Sequence, residues 1–259
     1  MNHRNVLTAV IFDLDGVITL TARVHSAAWK ALFDDFLKLQ AQQQGEAYHP
    51  FDAEFDYLRY VDGKPRIDGV LSFLASRHVR LPLGDSSADP VSETAWGLAN
   101  RKNILFKEML QRFGVEVDQE AVRVVRELRL EGVRVGLASS SKNTELILKK
   151  AGLRPLFDTV VDGIVSEIQR LRGKPEPDIF LYCLRRLSRT IQPRNAAVLE
   201  DAISGVQAAW RGGFGLVVGV DRQNLGQLQR NGANWVIRDF YGVTADRLIQ
   251  VFARGAEAA

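Results

Sequence analysis

Two aspartates one residue apart, Asp13 and Asp15, close the apolar run Val10-Ile11-Phe12, and Gly16 follows at once. An apolar run of this kind reads as a buried strand. A strand that carries two carboxylates to its C-terminal end sets two anions a few ångströms apart, and each loses hydration. A hard divalent cation such as Mg²⁺ binds carboxylate oxygen and would compensate both. Two solvated turn aspartates before a turn glycine would give the same segment.

Three more segments place polar residues where strands or turns end. Ser139-Ser140-Ser141-Lys142-Asn143 follows the apolar residues 133–138, and Glu200-Asp201 follows Ala196-Ala197-Val198-Leu199. Gly173-Lys174-Pro175-Glu176-Pro177-Asp178 is a proline-stiffened turn with a lysine in it. Each has a plain explanation by itself: a serine cap, an acidic pair at a helix start, a solvated lysine. Together they offer acidic positions for a metal, a hydroxyl for a phosphoryl oxygen and a cation for its remaining charge. Phosphoryl transfer, whose chemistry is mainly in-line positioning and charge neutralisation, needs that set.

The elements that must position these residues alternate along the second half of the chain. Strands are expected over 133–138, 157–161, 196–199, 214–220 and 235–237. Helices are expected over 143–151, with Ser141 as N-cap and Gly152 as stop, and over 177–187 and 204–212. Such alternation implies an α/β fold, a parallel sheet with helices on both faces. In such sheets ligands bind beyond the C-terminal strand ends, near the point where strand order reverses. Residues 20–115 break the rhythm. Helical patterns run over 22–39, 67–77 and 93–113, a polar, glutamine-rich stretch fills 40–45, and no strand is evident. The expected organisation is an α/β core of residues 1–19 and 116–259, with a helical cap, 20–115, inserted after the first strand.

The chain of 259 residues is 46% hydrophobic and 25% charged, as expected of a globular protein. It has no apolar run long enough for a membrane span, and residues 1–5 lack signal-peptide character. The one cysteine, Cys183, lies at helical spacing with Leu187 and reads as a packed thiol. A cytoplasmic location is expected. Net charge is +3, but residues 20–115 hold 12 basic and 12 acidic residues, so the surplus lies outside them. No basic block interleaves with aromatics, so neither nucleic acid nor membrane is an expected partner. The expected partner is a small anionic molecule, and the expected state is a monomer.

The four signatures Asp13-Leu14-Asp15, Ser139, Lys174 and Glu200-Asp201, in this order, resemble those of the haloacid dehalogenase superfamily of phosphotransferases. That resemblance implies a Rossmann-like, doubly wound core. It also implies a nucleophilic Asp13 that forms an aspartyl phosphate, and Asp15 as general acid/base. Ser139 and Lys174 would hold the phosphoryl oxygens. Mg²⁺ would be bound by Asp13, Asp15 (through its backbone carbonyl), Glu200 and Asp201. Within the superfamily, residues 13–30 and the runs Arg101-Lys102-Asn103, Ser139–Asn143 and Gly173–Asp178 look like those of β-phosphoglucomutases. These enzymes interconvert β-glucose 1-phosphate and glucose 6-phosphate through a bound bisphosphate.

By the same resemblance Thr21, His25, Trp29, Arg66, Lys102, Ser140, Ser141, Lys142 and Asn143 face the substrate, and His25 couples cap closure to Asp15. The cap motif Val61-Asp62-Gly63-Lys64-Pro65-Arg66 departs from the familiar one, which has lysine at Asp62 and serine near Pro65; Lys64 could supply the charge. Leu20 replaces an acidic residue, and the cap is longer. A sugar-phosphate phosphatase on the same scaffold is the alternative, and a non-catalytic sugar-phosphate sensor a remote one.

Overall fold

The structure is a computed structural model that describes residues 6–255. The chain divides into two compact units, one formed by the segments up to Leu20 and from Glu116 onward, the other by Thr21–Val115. In chain order the elements are β1 (Ala9–Phe12), α1 (Ala22–Gln44), α2 (Arg66–Ser76), α3 (Ala95–Phe113), α4 (Gln119–Leu130), β2 (Arg134–Ala138), α5 (Thr144–Ala151), β3 (Thr159–Val161), α6 (Gly163–Ile168), α7 (Asp178–Leu187), β4 (Ala196–Glu200), α8 (Ile203–Arg211), β5 (Leu216–Val220), α9 (Gln227–Arg230), β6 (Trp235–Ile237) and α10 (Ala245–Gly255).

Among the described residues the first unit holds one six-stranded, all-parallel sheet of order β3-β2-β1-β4-β5-β6. The α/β reading is therefore correct. Strands β1 to β3 step outward in one direction and β4 to β6 in the other, so the order reverses between β1 and β4. Register pairs Phe12 with both Leu137 and Leu199. The tips of β1, β2 and β4 thus end side by side, and their next residues are the acidic and hydroxyl groups singled out above. The strands read as continuous apolar runs because helices cover both faces. On one face Ala9, Ile11, Ala196 and Val198 pack with Phe180, Cys183 and Leu184 of α7 and Val206 and Ala209 of α8. Cys183 is buried there as a packed thiol, and burial pushes its pKa up.

The second unit is helical and contains no strand among the described residues. Its core is aromatic: Trp29 and Phe33 on α1, Phe51 in the segment between α1 and α2, and Phe73 on α2 stack or meet at an angle at centroid distances of 4.0–5.3 Å. Helix α1 continues through the glutamine-rich stretch to Gln44, and Gly45, at φ 70°, closes it. Alanine and glutamine favour helix even where both faces meet water, so the tail is helical without amphipathic periodicity. The expected cap of α5 is also corrected. Asn143 occupies the N-cap position, while Ser141 Oγ accepts from the Asn143 N–H at 3.2 Å and Ser141 O accepts from Thr144 Oγ1 at 2.9 Å. Ser141 thus closes the preceding turn. No helix is long and apolar enough to cross a membrane among the described residues.

Candidate active site

Asp13 is the residue after β1, 5% exposed, and its N–H extends the ladder to Leu199 O at 3.0 Å. Its backbone is fixed by the sheet, and its side chain leaves the C-terminal edge. Lys174 Nζ donates to Asp13 Oδ1 and to Glu200 Oε2, both at 2.7 Å, with the lysine side chain 1% exposed. Glu200 also accepts from the Ala202 N–H through Oε1 at 3.0 Å. Both of its oxygens are therefore engaged, and its first service is to hold Lys174.

One ligand oxygen each from Asp13, Glu200 and Asp201 lies within 4.8 Å of the others. Burial first, and the Glu200 carboxylate next, push Asp13 well above the ordinary carboxylate range. Lys174 pulls it back and Asp15 adds to the rise. Burial alone would lower Lys174, but Asp13 and Glu200 outweigh it and hold the ammonium above the ordinary lysine value. Three carboxylates, those of Asp13, Glu200 and Asp201, thus converge beside Lys174 in a largely buried cluster. Oxygen-only donors of that density suit a hard divalent cation. Gly16 has φ 88°, and a Cβ there would lie 1.7 Å from Asp201 Oδ2, so only glycine lets the turn pass Asp201.

Asp15 is half-buried. Ser139 Oγ lies 3.5 Å from its Oδ2, at the outer edge of hydrogen-bond distance, and also accepts from the Ser141 N–H at 3.1 Å. Ser139 is buried, with its N–H on Val161 O. Asp13, Asp15, Ser139, Lys174, Glu200 and Asp201 thus belong to one unit and line one edge of its sheet. Ser140, Ser141 and Asn143 follow Ser139 in the same turn. Lys142 reaches Glu167 on α6 at 2.8 Å in a surface ion pair. The sequence carries no sign that Gly205 matters, yet a Cβ there would meet the Glu200 carboxyl at 2.1 Å. The signal lies only in the closeness of a strand end to the first turn of α8.

The helical unit brings four other predicted residues into relation. Lys102 on α3 is 3% exposed, and its Nζ lies 2.6 Å from His25 Nδ1 on α1. The ammonium sits over the rings of Trp29 and Phe106 at 4.9 and 4.8 Å, and His25 stacks on Phe106 at 4.0 Å. An ammonium only donates, so His25 Nδ1 accepts and the ring proton resides on Nε2. Thr21, 1% exposed, precedes α1 and its carbonyl accepts from the His25 N–H at 2.9 Å. Arg66 is the first residue of α2. Lys64 Nζ donates to Ser72 Oγ at 2.9 Å, and burial holds its pKa below the ordinary lysine value, with Asp68 opposing.

A family model described as haloacid dehalogenase-like hydrolase matches residues 7–213. A β-phosphoglucomutase from Mycobacterium bovis is 43% identical over 235 residues, which cover 89% of this chain and 89% of that one. A β-phosphoglucomutase from Bacillus subtilis is 29% identical over 245 residues, 93% and 94% of the two chains. The crystal structure of a β-phosphoglucomutase from Clostridium difficile superposes with a TM-score of 0.73 over 98% of this chain and 100% of that chain; at 24% identity it speaks to the fold.

Proposed function

We propose that this chain, which belongs to the haloacid dehalogenase-like hydrolase family and within it to the β-phosphoglucomutase-like group, converts β-glucose 1-phosphate to glucose 6-phosphate through an aspartyl phosphate and a bound bisphosphate. The observation that carries the reading is the seat of Asp13, buried, gripped by Lys174 at 2.7 Å and flanked by Asp15 and Asp201. A carboxylate held in that way is oriented for in-line attack.

The Asp13 carboxylate attacks the C1 phosphorus of the bisphosphate, and the C1 oxygen leaves as that of glucose 6-phosphate with a proton from Asp15. Ser139 and Lys174 hold the phosphoryl oxygens as charge shifts onto them. In the second half, Asp15 takes the proton of the 6-hydroxyl of a β-glucose 1-phosphate, and that oxygen attacks the aspartyl phosphate, which frees Asp13 and regenerates the bisphosphate. Asp13, Asp201 and the Asp15 backbone carbonyl, with Glu200 beside them, would hold Mg²⁺, which neutralises phosphoryl charge when bound.

In this reading the core of residues 1–19 and 116–259 performs transfer, and the cap of 20–115 serves the rest of the substrate. A bisphosphate brings a second anion, and Arg66 and Lys102 are the cations for it. Thr21, His25, Trp29, Ser140, Ser141, Lys142 and Asn143 would contact or order the sugar phosphate, and His25 presents an Nε2 proton. The protein would act as a cytoplasmic monomer on a small sugar phosphate.

The test is incubation with β-glucose 1-phosphate, a trace of glucose 1,6-bisphosphate and Mg²⁺. Glucose 6-phosphate without inorganic phosphate is expected. Stoichiometric inorganic phosphate would make the protein a phosphatase instead.

A further inference from the structure

The turn that carries Asp15 is very tight. After Asp15 the Gly16 N–H donates to Thr19 O at 2.6 Å, and the N–H groups of Ile18 and Thr19 both return to Leu14 O at 3.0 and 2.9 Å. Thr19 Oγ1 donates to the same carbonyl at 3.1 Å. These bonds leave the carbonyls of Gly16 and Val17 without partners inside the turn. Arg222, in the loop after β5 and more than 200 residues away, supplies them. Its Nε donates to Gly16 O at 2.7 Å and its Nη2 to Val17 O at 3.3 Å. The same Nη2 donates to Asp118 Oδ2 at 2.7 Å.

Asp118 is itself fixed. Its N–H donates to Ile18 O at 3.0 Å, and its Oδ1 accepts from the Ala121 N–H at 2.9 Å as the N-cap of α4. One planar fork therefore joins the turn after Asp15 to the segment that re-enters the core at residue 116. The Arg222 and Asp118 side chains are 26% and 12% exposed, so water competes weakly for these bonds. The turn also has no slack on its other side, because Gly16 lies directly against Asp201.

We propose that Arg222 is a positioning residue for the transfer reaction. It touches neither substrate nor reacting atoms. By holding the Gly16 and Val17 carbonyls it fixes where Asp15 stands relative to Asp13 and how closely the turn abuts Asp201. Directional donors at two carbonyls and a carboxylate require a guanidinium. A lysine can meet Asp118 as a point charge, but it cannot hold the carbonyls in the same plane.

The inference rests on the proposed reaction and separates from it experimentally. The parent's product tells which reaction occurs, and the variant-to-parent ratio tests Arg222 whichever product forms. Arg222→Ala and Arg222→Lys are compared with the parent by thermal unfolding and by steady-state kinetics with β-glucose 1-phosphate under the conditions above. Removing a group that orients reacting residues costs about 10- to 100-fold in activity.

The expected result is a kcat lower by that factor in both variants, with KM within about threefold of the parent because no substrate contact is lost. Arg222→Lys is expected to unfold within a few degrees of the parent, so its rate loss cannot be assigned to unfolding. A folded Arg222→Lys with the parent's kcat would overturn the proposal. So would a change confined to KM, or a rate loss that only tracks the fraction unfolded.

Discussion

Lys174 carries one positive charge between two buried carboxylates. Replacing it by methionine keeps the bulk and removes the charge. Breaking a buried ion pair from one side costs about 3–5 kcal/mol, because the abandoned anion stays buried. Lys174→Met is therefore expected to lower the unfolding free energy of the cation-free protein by an amount of that order, read as a lower urea midpoint, and to abolish turnover.

The pH dependence follows from the directions of the shifts. Asp13 is raised, so its contribution to stability is present below the ordinary aspartate value and lost as pH rises through its folded value. Lys174 is raised too, and its contribution persists until pH passes its own raised value, in the strongly alkaline range. The penalty in Lys174→Met should thus shrink as pH falls and Asp13 takes a proton. A penalty that does not change on acidification would show that the unpaired Asp13 charge is not its source.

Two elements carry constraints that a residue list hides. Glu200 leaves the end of β4 and folds over the first turn of α8, where Gly205 makes room for it. Gly205→Ala would drive a methyl into that carboxyl, displace the partner of Lys174 and cost about 1–3 kcal/mol of overpacking. The expected readout is a lower melting temperature with a rate loss of tenfold or more, whereas a near-parental rate would show that Glu200 can shift freely.

In the helical unit, Lys30 and Asp34 stand one turn apart on α1 and clamp both backbone groups of Phe51. The Phe51 N–H donates to Asp34 Oδ1 at 2.8 Å, and Lys30 Nζ donates to Phe51 O at 2.9 Å. Burial opposes ionisation of Asp34, but hydrogen bonds from Lys30 and the Phe51 N–H prevail and hold it below the ordinary aspartate value. Its contribution is present above that value and lost as pH falls through the lowered one. Asp34→Asn should reduce the melting temperature at pH 7 and reduce it by less as pH falls through the lowered value, and a reduction that does not change with acidification would contradict the charge argument. The pattern that predicts α1 stops at Leu39 and is silent about this clamp. Periodicity reports which face is buried, and the Phe51 backbone bonds depend on where a distant segment returns.

Across the whole molecule, each unit has its own apolar core, one built around a parallel sheet and one around stacked aromatics. A cation that binds only the folded core stabilises it by mass action, about 2.7 kcal/mol at a hundredfold excess over Kd. For a protein of this size that raises the melting temperature by about 5–10 °C. Calorimetry with and without Mg²⁺ should show the shift, and Asp201→Ala should remove most of it. A full shift in that variant would place the ion away from the Asp13, Glu200 and Asp201 cluster.

The sequence by itself determined the strands and the residues at their tips, because an apolar run ending in Asp13-Leu14-Asp15 or Glu200-Asp201 is a local pattern with local physics. It also determined that a helical stretch interrupts the alternation, since period-3.6 patterning recurs over 22–39, 67–77 and 93–113 and no strand pattern lies between them. Only the tertiary structure decided that Lys174 bridges Asp13 and Glu200, that Lys102 meets His25 across 77 residues, and that Arg222 grips the turn after Asp15. Those contacts join residues whose separation along the chain carries no periodic signal. They exist because strand order reverses between β1 and β4 and because helices return their ends to the same place.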